Sequence, residues 1–364
     1  MNRVKLEHTG IISHTGGGNG KYVPNNEEQK IEKIYPLKLL EVEITLRCPL
    51  RCIHCSVGGG EGKVDLPIEK YKELVDDCAK IGVDAIDIIG GEPLAYPYIY
   101  EAIEYTLGRI PNLYLSTAGY FITEKMALKL KQSGLKHIFV SLDGPTKELH
   151  EKIRGPNTFE KTCDAIRMLS SFGFSVIVSF VATAETYKFV QDMAEISRQL
   201  GAKKLFILAF VPEGRGKNIS TLALTNEMII KIMDDVRNIS EKYKDFEVEF
   251  DCSLKTFFGD LPAECSICPA GTTFATVKVN GDVFPCGFLR DHSFFRAGNI
   301  IEERFFDIWK NSQRFKYFRT PLKGCSSCSI YTECRGGCQA LKRGKVCDGK
   351  PDERKAFLAA CGFI

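Results

Sequence analysis

Between residues 38 and 243 the chain alternates short apolar runs with segments of helical period, and this alternation restricts the fold more than any other feature. The apolar runs are Leu39–Leu46, Val83–Ile89, Leu113–Ser116, His137–Leu142, Phe174–Val181 and Lys204–Phe210. Helical periodicity marks 68–81, 97–108, 123–133, 158–172, 186–200 and 225–243, with start signals at Thr123 and Thr225. Strand–helix repeats of this kind require a parallel sheet with right-handed crossovers. Six strands are too few to close an eight-stranded barrel. The pattern therefore predicts an α/β fold, an open, partial (β/α)6 TIM-type barrel with its functional face at the C-terminal ends of the strands.

After about residue 250 the pattern changes. The segment Thr276–Phe284 contains Asn280-Gly281, which predicts a hairpin with a tight primed turn. One amphipathic helix is predicted over 303–318, with Phe305, Phe306, Ile308 and Trp309 as core packing. The remainder is rich in Cys and Gly and short of apolar residues, so it needs metal to hold a shape. The resulting organisation is an N-terminal extension (1–37), a barrel (38–249) and a cysteine-rich domain (250–364).

Charge and hydropathy exclude several classes. With 49 basic and 46 acidic residues the net charge is +3, which gives no reason to expect nucleic acid or an anionic membrane as partner. Met1–Leu6 interleaves charges with apolar residues and lacks the apolar stretch of roughly 7–15 residues of a signal peptide. No run approaches the ~18 apolar residues of a membrane span. The expected location is cytoplasmic. In a reducing compartment the 15 cysteines do not read as a disulfide framework, and closely spaced thiolates argue for metal. The isolated Cys78, Cys163 and Cys252 read as ordinary buried thiols.

The first cysteine cluster, Cys48-Pro49-Leu50-Arg51-Cys52-Ile53-His54-Cys55, follows the first predicted strand. Three thiolates with gaps of three and two can hold three corners of a cubane. One iron is then left without a protein ligand and can bind a small molecule through an amine and a carboxylate. A zinc site with a remote fourth ligand is the competing reading. C-x3-C-x2-C at the end of strand one resembles the signature of the radical S-adenosylmethionine (SAM) superfamily. Gly90-Gly91-Glu92-Pro93, after the second strand, is similar to the family's GGEP motif, which binds the methionine amino group of SAM. Backbone carbonyls and Glu92 can accept from an ammonium, and glycines permit close approach. Ser141-Leu142-Asp143-Gly144 resembles the ribose-contacting segment, with Ser141 the implied contact. Arg154 resembles the arginine near the SAM carboxylate; the alternative is a solvent-facing arginine at a helix start. His54 stands where the family places an aromatic residue near the adenine. Thr117-Ala118-Gly119 departs from the family's Thr-Asn-Gly, so any polar contact from that side chain is lost.

The second cluster runs Cys268-x12-Gly281-x4-Cys286, then Cys325-x2-Cys328-x5-Cys334-x3-Cys338 and a later cysteine. It resembles the SPASM domain, which holds two auxiliary [4Fe–4S] clusters. The resemblance implies Cys265, Cys268, Cys286 and Cys338 as ligands of the first. It implies Cys325, Cys328 and Cys334 as ligands of the second, with Cys347 or Cys361 completing it. Cys347 follows Cys338 by nine residues and Cys361 by 23. A zinc ribbon is the competing reading.

The resemblance implies three [4Fe–4S] clusters, one binding SAM and two auxiliary. It further implies reductive cleavage of SAM to a 5′-deoxyadenosyl radical that abstracts hydrogen from substrate, with the auxiliary clusters aiding oxidation or cross-linking. The implied substrate is a peptide or protein, as in maturases of ribosomally made peptides, with a flavodoxin- or ferredoxin-type reductant. Anaerobic sulfatase maturases carry an Asp directly after the cysteine that closes the hairpin, but Gly287 follows Cys286 here. A leader-binding domain exceeds what a 36-residue extension can form, so a separate leader-peptide recognition protein is an expected partner. A haem precursor or aminosugar substrate is one alternative. An iron–sulfur electron-transfer protein is another; the three-cysteine spacing and Gly90-Gly91-Glu92-Pro93 discriminate against it.

Overall fold

The computed structural model describes residues 34–251 and 268–320. Alternate side chains of a strand point to opposite faces, so apolar residues at every second position bury one face and leave the other for different chemistry. In β1 (Leu39–Thr45), Leu40, Val42 and Ile44 are fully buried, and Glu41 and Glu43 occupy the opposite face. Ile86 and Ile88 in β2 (Ala85–Gly90) bracket Asp87 in the same way. The series continues through β3 (Asn112–Thr117), β4 (His137–Ser141), β5 (Ser175–Ala182) and β6 (Lys204–Ala209), all parallel and paired in chain order. The intervening helices are α1 (Ile68–Ile81), α2 (Ile99–Leu107), α3 (Glu124–Gln132), α4 (Lys147–Arg154), α5 (Phe159–Ser171) and α6 (Val190–Gln199). Thr123 caps α3 by accepting from Met126 N, and Thr225 caps α7 (Asn226–Lys242) by accepting from Met228 N.

Two elements exceed the pattern read from sequence. β7 (Glu247–Asp251) adds a seventh parallel strand beside β6, so a boundary at 249/250 falls inside a strand. Its sequence, Glu-Val-Glu-Phe-Asp, has only two apolar residues, and the Lys204 ammonium 2.6 Å from Glu249 compensates one of its charges. α4 is charge-dense and buries only His150 and Ile153, a stripe too narrow to register as periodicity. It puts Arg154 at a helix C-terminus, not at a helix start.

The expected hairpin forms from β8 (Phe274–Val277) and β9 (Asp282–Phe284), but its turn is not a two-residue primed one. A type I′ turn needs positive φ at both central residues and a type II′ turn at the first. Gly281 has φ +87°, whereas Asn280 stays in the ordinary region. The chain instead turns over Lys278–Gly281, with Gly281 N donating to Lys278 O at 2.8 Å, and Lys278 N closes the loop by donating to Asp282 O at 2.8 Å. The Asn280 side chain accepts from Asp282 N. β8 pairs parallel with β1, and β10 (Gly298–Asn299) pairs with β9, giving one open sheet of order β10-β9-β8-β1-β2-β3-β4-β5-β6-β7.

The single helix expected over 303–318 is two, α8 (Phe305–Asn311) and α9 (Gln313–Arg319). Ser312 breaks it with ψ 129°: its hydroxyl donates to Ala297 O and accepts from Arg314 N, competing with helix continuation. Phe305, Ile308, Trp309 and Phe315 pack in the core, as anticipated for the first three. Arg304 fastens this end to α1, with its guanidinium 2.6 and 2.9 Å from the Asp77 carboxylate. Among the described residues no helix is long and apolar enough to cross a membrane.

Candidate active site

β1 runs directly into the cysteine loop, so its C-terminal end fixes where the thiols lie. Cys52 is buried, Cys48 and Cys55 are half-buried, and none of the three is in a disulfide. Leu50, Ala118 and Tyr120 form a small apolar collar with them, apart from the main core. Burial pushes the Cys48 thiol up to about 11, and Glu92, Cys52 and Cys55 push the same way. Burial also raises Cys52, opposed by the Arg154 and Arg215 cations. Three thiols that repel one another's charge need a cation among them to ionise, which is what iron supplies. Among the described residues no three His, Cys, Asp or Glu side chains group around a single ion. By donor chemistry the loop fits a three-thiolate iron–sulfur cluster.

The Gly90-Gly91-Glu92-Pro93 turn packs against the same loop. Gly91 N donates to Thr45 O and Glu92 N to Arg47 O, both at 2.7 Å. A Cβ on Gly91 would lie 2.5 Å from Arg47 O, and one on Gly90 (φ +144°) would lie 2.4 Å from Thr45 O. The close approach these glycines permit is that of the backbone leading into the cysteines. Glu92 is wholly buried: Oε1 accepts from Thr117 Oγ1 (2.7 Å) and Leu94 N (3.2 Å), and Oε2 from Ala118 N (2.9 Å). Burial holds its carboxyl above the usual range despite these donors. Glu92 thus clamps the end of β3, and Ala118 contributes its backbone where the family has an Asn side chain. Pro93 begins the single helical turn Pro93–Ala95.

His54 and Arg154, remote in sequence, converge on one buried carboxylate. Asp143 Oδ2 lies 3.1 Å from His54 Nε2 and 2.5 Å from Arg154 Nε, and Oδ1 accepts from Val181 N at 2.9 Å. Burial alone would raise Asp143, but Arg154 and then His54 outweigh it and hold the carboxyl well below the usual range. Asp143 N donates to His150 Nδ1, and burial, helped by Arg154, lowers His150 to about 4. With Nε2 turned to Asp143, His54 Nδ1 is buried and without a partner among the described residues; in the neutral imidazole it would be an acceptor. An amino donor such as that of the SAM adenine fits this orphaned atom. The resemblance to the ribose-contacting segment points to Ser141 of the same tetrapeptide. Ser141 is half-buried at the end of β4, in register with Ser179, whereas Asp143 is the hub.

Two further features escaped the sequence reading. The face opposite the helices carries Glu41, Glu43, Asp87, Ser116 and Thr276. Thr276 donates to Glu41 (3.0 Å), Ser116 to Asp87 (3.1 Å), and Arg290 ion-pairs with Glu43. Charged residues at alternate positions of an apolar strand were the available signal. They also explain Gly287: a Cβ there would lie 2.8 Å from Arg290 Nη2 and 3.3 Å from Glu41 Oε2, so the room for a side chain is already filled. The second feature is the segment Glu213–Lys217 after β6, whose Arg215 donates to Cys52 O and Gly59 O. A Gly-Arg-Gly sequence at a strand's C-terminal end was the signal there.

Cys268 and Cys286 are half-buried, and the latter directly follows the hairpin. Cys78 and Cys163 are buried in the core, as expected. Cys252, Cys265, Cys325, Cys328, Cys334, Cys338, Cys347 and Cys361 lie outside the described residues.

The Radical SAM superfamily pattern matches residues 42–196, and an iron-sulfur cluster-binding domain of the SPASM type matches 265–339. The mycofactocin maturase MftC of Mycobacterium tuberculosis is 31% identical over 320 residues, spanning 85% of this chain and 81% of that protein. This chain belongs to the radical SAM superfamily. It is a radical SAM enzyme with a SPASM domain, and its described strands form the mostly parallel sheet of that fold. An AdoMet-dependent heme synthase of Methanosarcina barkeri is 30% identical over 329 residues, 83% of this chain and 91% of that one. Among solved structures, Streptococcus suis SuiB bound to S-adenosylmethionine superposes with a TM-score of 0.72 at 18% identity, over 85% of this chain and 75% of that one. Native anSMEcpe with bound AdoMet gives 0.65 at 20%, over 89% and 96%. Likenesses at these identities concern the fold alone.

Proposed function

We propose that this radical SAM enzyme is a peptide maturase, with Cys48, Cys52 and Cys55 holding the SAM-binding cluster and Cys268 and Cys286 contributing to auxiliary clusters. One observation carries the reading: the cysteine loop, the Glu92 clamp and the Asp143-anchored pair of His54 and Arg154 meet at the C-terminal end of one parallel sheet. When bound, the reduced cluster and SAM supply a 5′-deoxyadenosyl radical that removes a hydrogen atom from substrate. The protein's part is to bind and insulate. Asp143 keeps Arg154 charged and oriented for a carboxylate, and keeps His54 in one tautomer for an amino group. Glu92 holds its own turn so that Gly90 and Gly91 stay against the loop. Ser141 stands ready for a ribose hydroxyl.

The peptide substrate is supported by the maturase names among the relatives and by the precursor peptide bound in the SuiB structure. A leader-peptide recognition protein would supply the peptide. A flavodoxin- or ferredoxin-type reductant would supply electrons. A recess of about 480 Å³ lined by Arg47, Cys48, Arg51, Glu61 and Lys63 opens beside one of these cluster ligands.

The test is anaerobic incubation of the reduced enzyme with SAM and perdeuterated short peptides encoded beside its gene. Deuterium should appear in 5′-deoxyadenosine together with a mass change in one peptide. The heme synthase relatives favour a second reading, a haem precursor as substrate. Deuterium transfer from a labelled porphyrin, with every peptide left unchanged, would replace the first reading by this one.

A further inference from the structure

Glu213–Lys217 touches two places that the reading above assigns to different clusters. Arg215 N donates to Cys55 O (3.0 Å), Nε to Cys52 O (3.0 Å), and Nη1 to Gly59 O (3.1 Å) and Glu61 Oε1 (2.6 Å). A single residue thus holds the loop at three carbonyls. The flanking glycines make this possible: a Cβ on Gly214 would lie 2.6 Å from Cys55 O, and one on Gly216 would lie 2.9 Å from the Phe210 ring. On its other side the segment meets residues just past Cys286. Gly214 N and Lys217 Nζ donate to Asp291 Oδ2 (3.4 and 2.5 Å), and Glu213 Oε1 lies 3.3 Å from His292 Nε2.

We propose that Arg215 is a positioning residue for the radical-generating cluster, gripping the Cys52–Gly59 loop from the end of β6 and setting the cluster's reduction potential by its charge. The inference rests on the assignment of Cys48, Cys52 and Cys55 as that cluster's ligands. Arg215 holds Cys52 directly, Nε donating to its carbonyl at 3.0 Å, and a second cation, Arg154, shares Asp143 with His54 of the same loop. Arg154 faces the fully buried Asp143, which cancels most of its field. Arg215 faces Glu61, whose side chain is 59% exposed, so water weakens that pairing and the guanidinium's charge persists at the loop. A cation beside a cluster favours the state carrying the extra electron. Arginine suits the task because its planar fork reaches carbonyls in different directions, which a lysine ammonium cannot do at once.

The experiment is an EPR-monitored redox titration of the reconstituted, full-length protein, following the cluster whose signal changes on adding SAM. Arg215→Gln should lower the reduced-to-oxidised ratio at fixed potential about tenfold, a fall of about 59 mV for one electron. Arg215→Lys should recover more than half of that shift. Glu61→Gln, at an exposed position, should move the midpoint the opposite way by about threefold, or about 28 mV. An unchanged midpoint in Arg215→Gln with full iron content would overturn the proposal. If that variant sheds the cluster, Glu61→Gln decides: an upward shift upholds the role of charge, and no shift or a downward one refutes it. Were no signal of the unsubstituted protein to respond to SAM, the ligand assignment would fail and this inference with it.

Discussion

At the scale of single residues, the chemistry is concentrated in buried carboxylates with opposite fates. Asp143 sits between Arg154 and His54 and is held ionised, whereas Asp87 has, among the described residues, only the Ser116 hydroxyl as donor. Burial first, and then the neighbouring Glu41, raise Asp87 to about 8. A carboxyl raised in the folded state contributes stability that is complete below its unfolded value of about 3.9 and is lost as pH rises through about 8. Asp87→Asn removes that loss. The variant's melting temperature should match the parent's near pH 4 and exceed it increasingly up to pH 8.5; thermal scans at pH 5, 7 and 8.5 measure the difference. The cysteines were legible in sequence because ligand spacing is local. Asp143 and Arg215 were less so, because their importance lies in partners up to 163 residues away. Nothing within Ser141-Leu142-Asp143-Gly144 says which oxygen faces inward.

At the scale of elements, the turn after β2 and the start of α8 carry the specific fastenings. Gly91→Ala would force a methyl against the Leu46–Arg47 backbone, which cannot swing aside as a side chain can. A cost of about 1–3 kcal/mol is expected in a denaturant titration of the apoprotein. Asp77 joins α1 to α8 through Arg304 and accepts from Phe306 N. Burial would raise its carboxyl, but Arg304 outweighs burial and lowers it. Its contribution is therefore present above about pH 4 and fades as pH falls through the folded value. Asp77→Asn should cost about 1.5–3 kcal/mol at neutral pH, the range of a charge-assisted hydrogen bond, and the gap should close toward pH 3. Strands β1–β6 could be placed from sequence because their helix-facing positions are almost all apolar, as in Leu40, Val42 and Ile44 of β1 and Val176, Val178 and Phe180 of β5. β7, α4 and the break at Ser312 could not: the first two spend charge where apolar periodicity is counted, and the third depends on a hydrogen bond to Ala297.

At the scale of the whole molecule, the parallel run β1–β7 places every loop named in the site at one end, and β8 joins the β8–β9 hairpin, which leads into Cys286, to β1. The inward carboxylates of β1, Glu41 and Glu43, pair with hairpin and post-hairpin residues Thr276 and Arg290, so both sequence regions share one polar interior. Repetition of strand and helix announced the sheet; side-chain pairing across more than 200 residues, as in Glu43–Arg290, left no trace in local sequence. The most direct measurement is the product of anaerobic reduction with dithionite and SAM, separated by chromatography. Protein carrying about 12 iron atoms should form 5′-deoxyadenosine, and Cys52→Ala should form none while keeping its auxiliary iron. Fully loaded protein that yields no 5′-deoxyadenosine, or an undiminished yield from Cys52→Ala, would contradict the account.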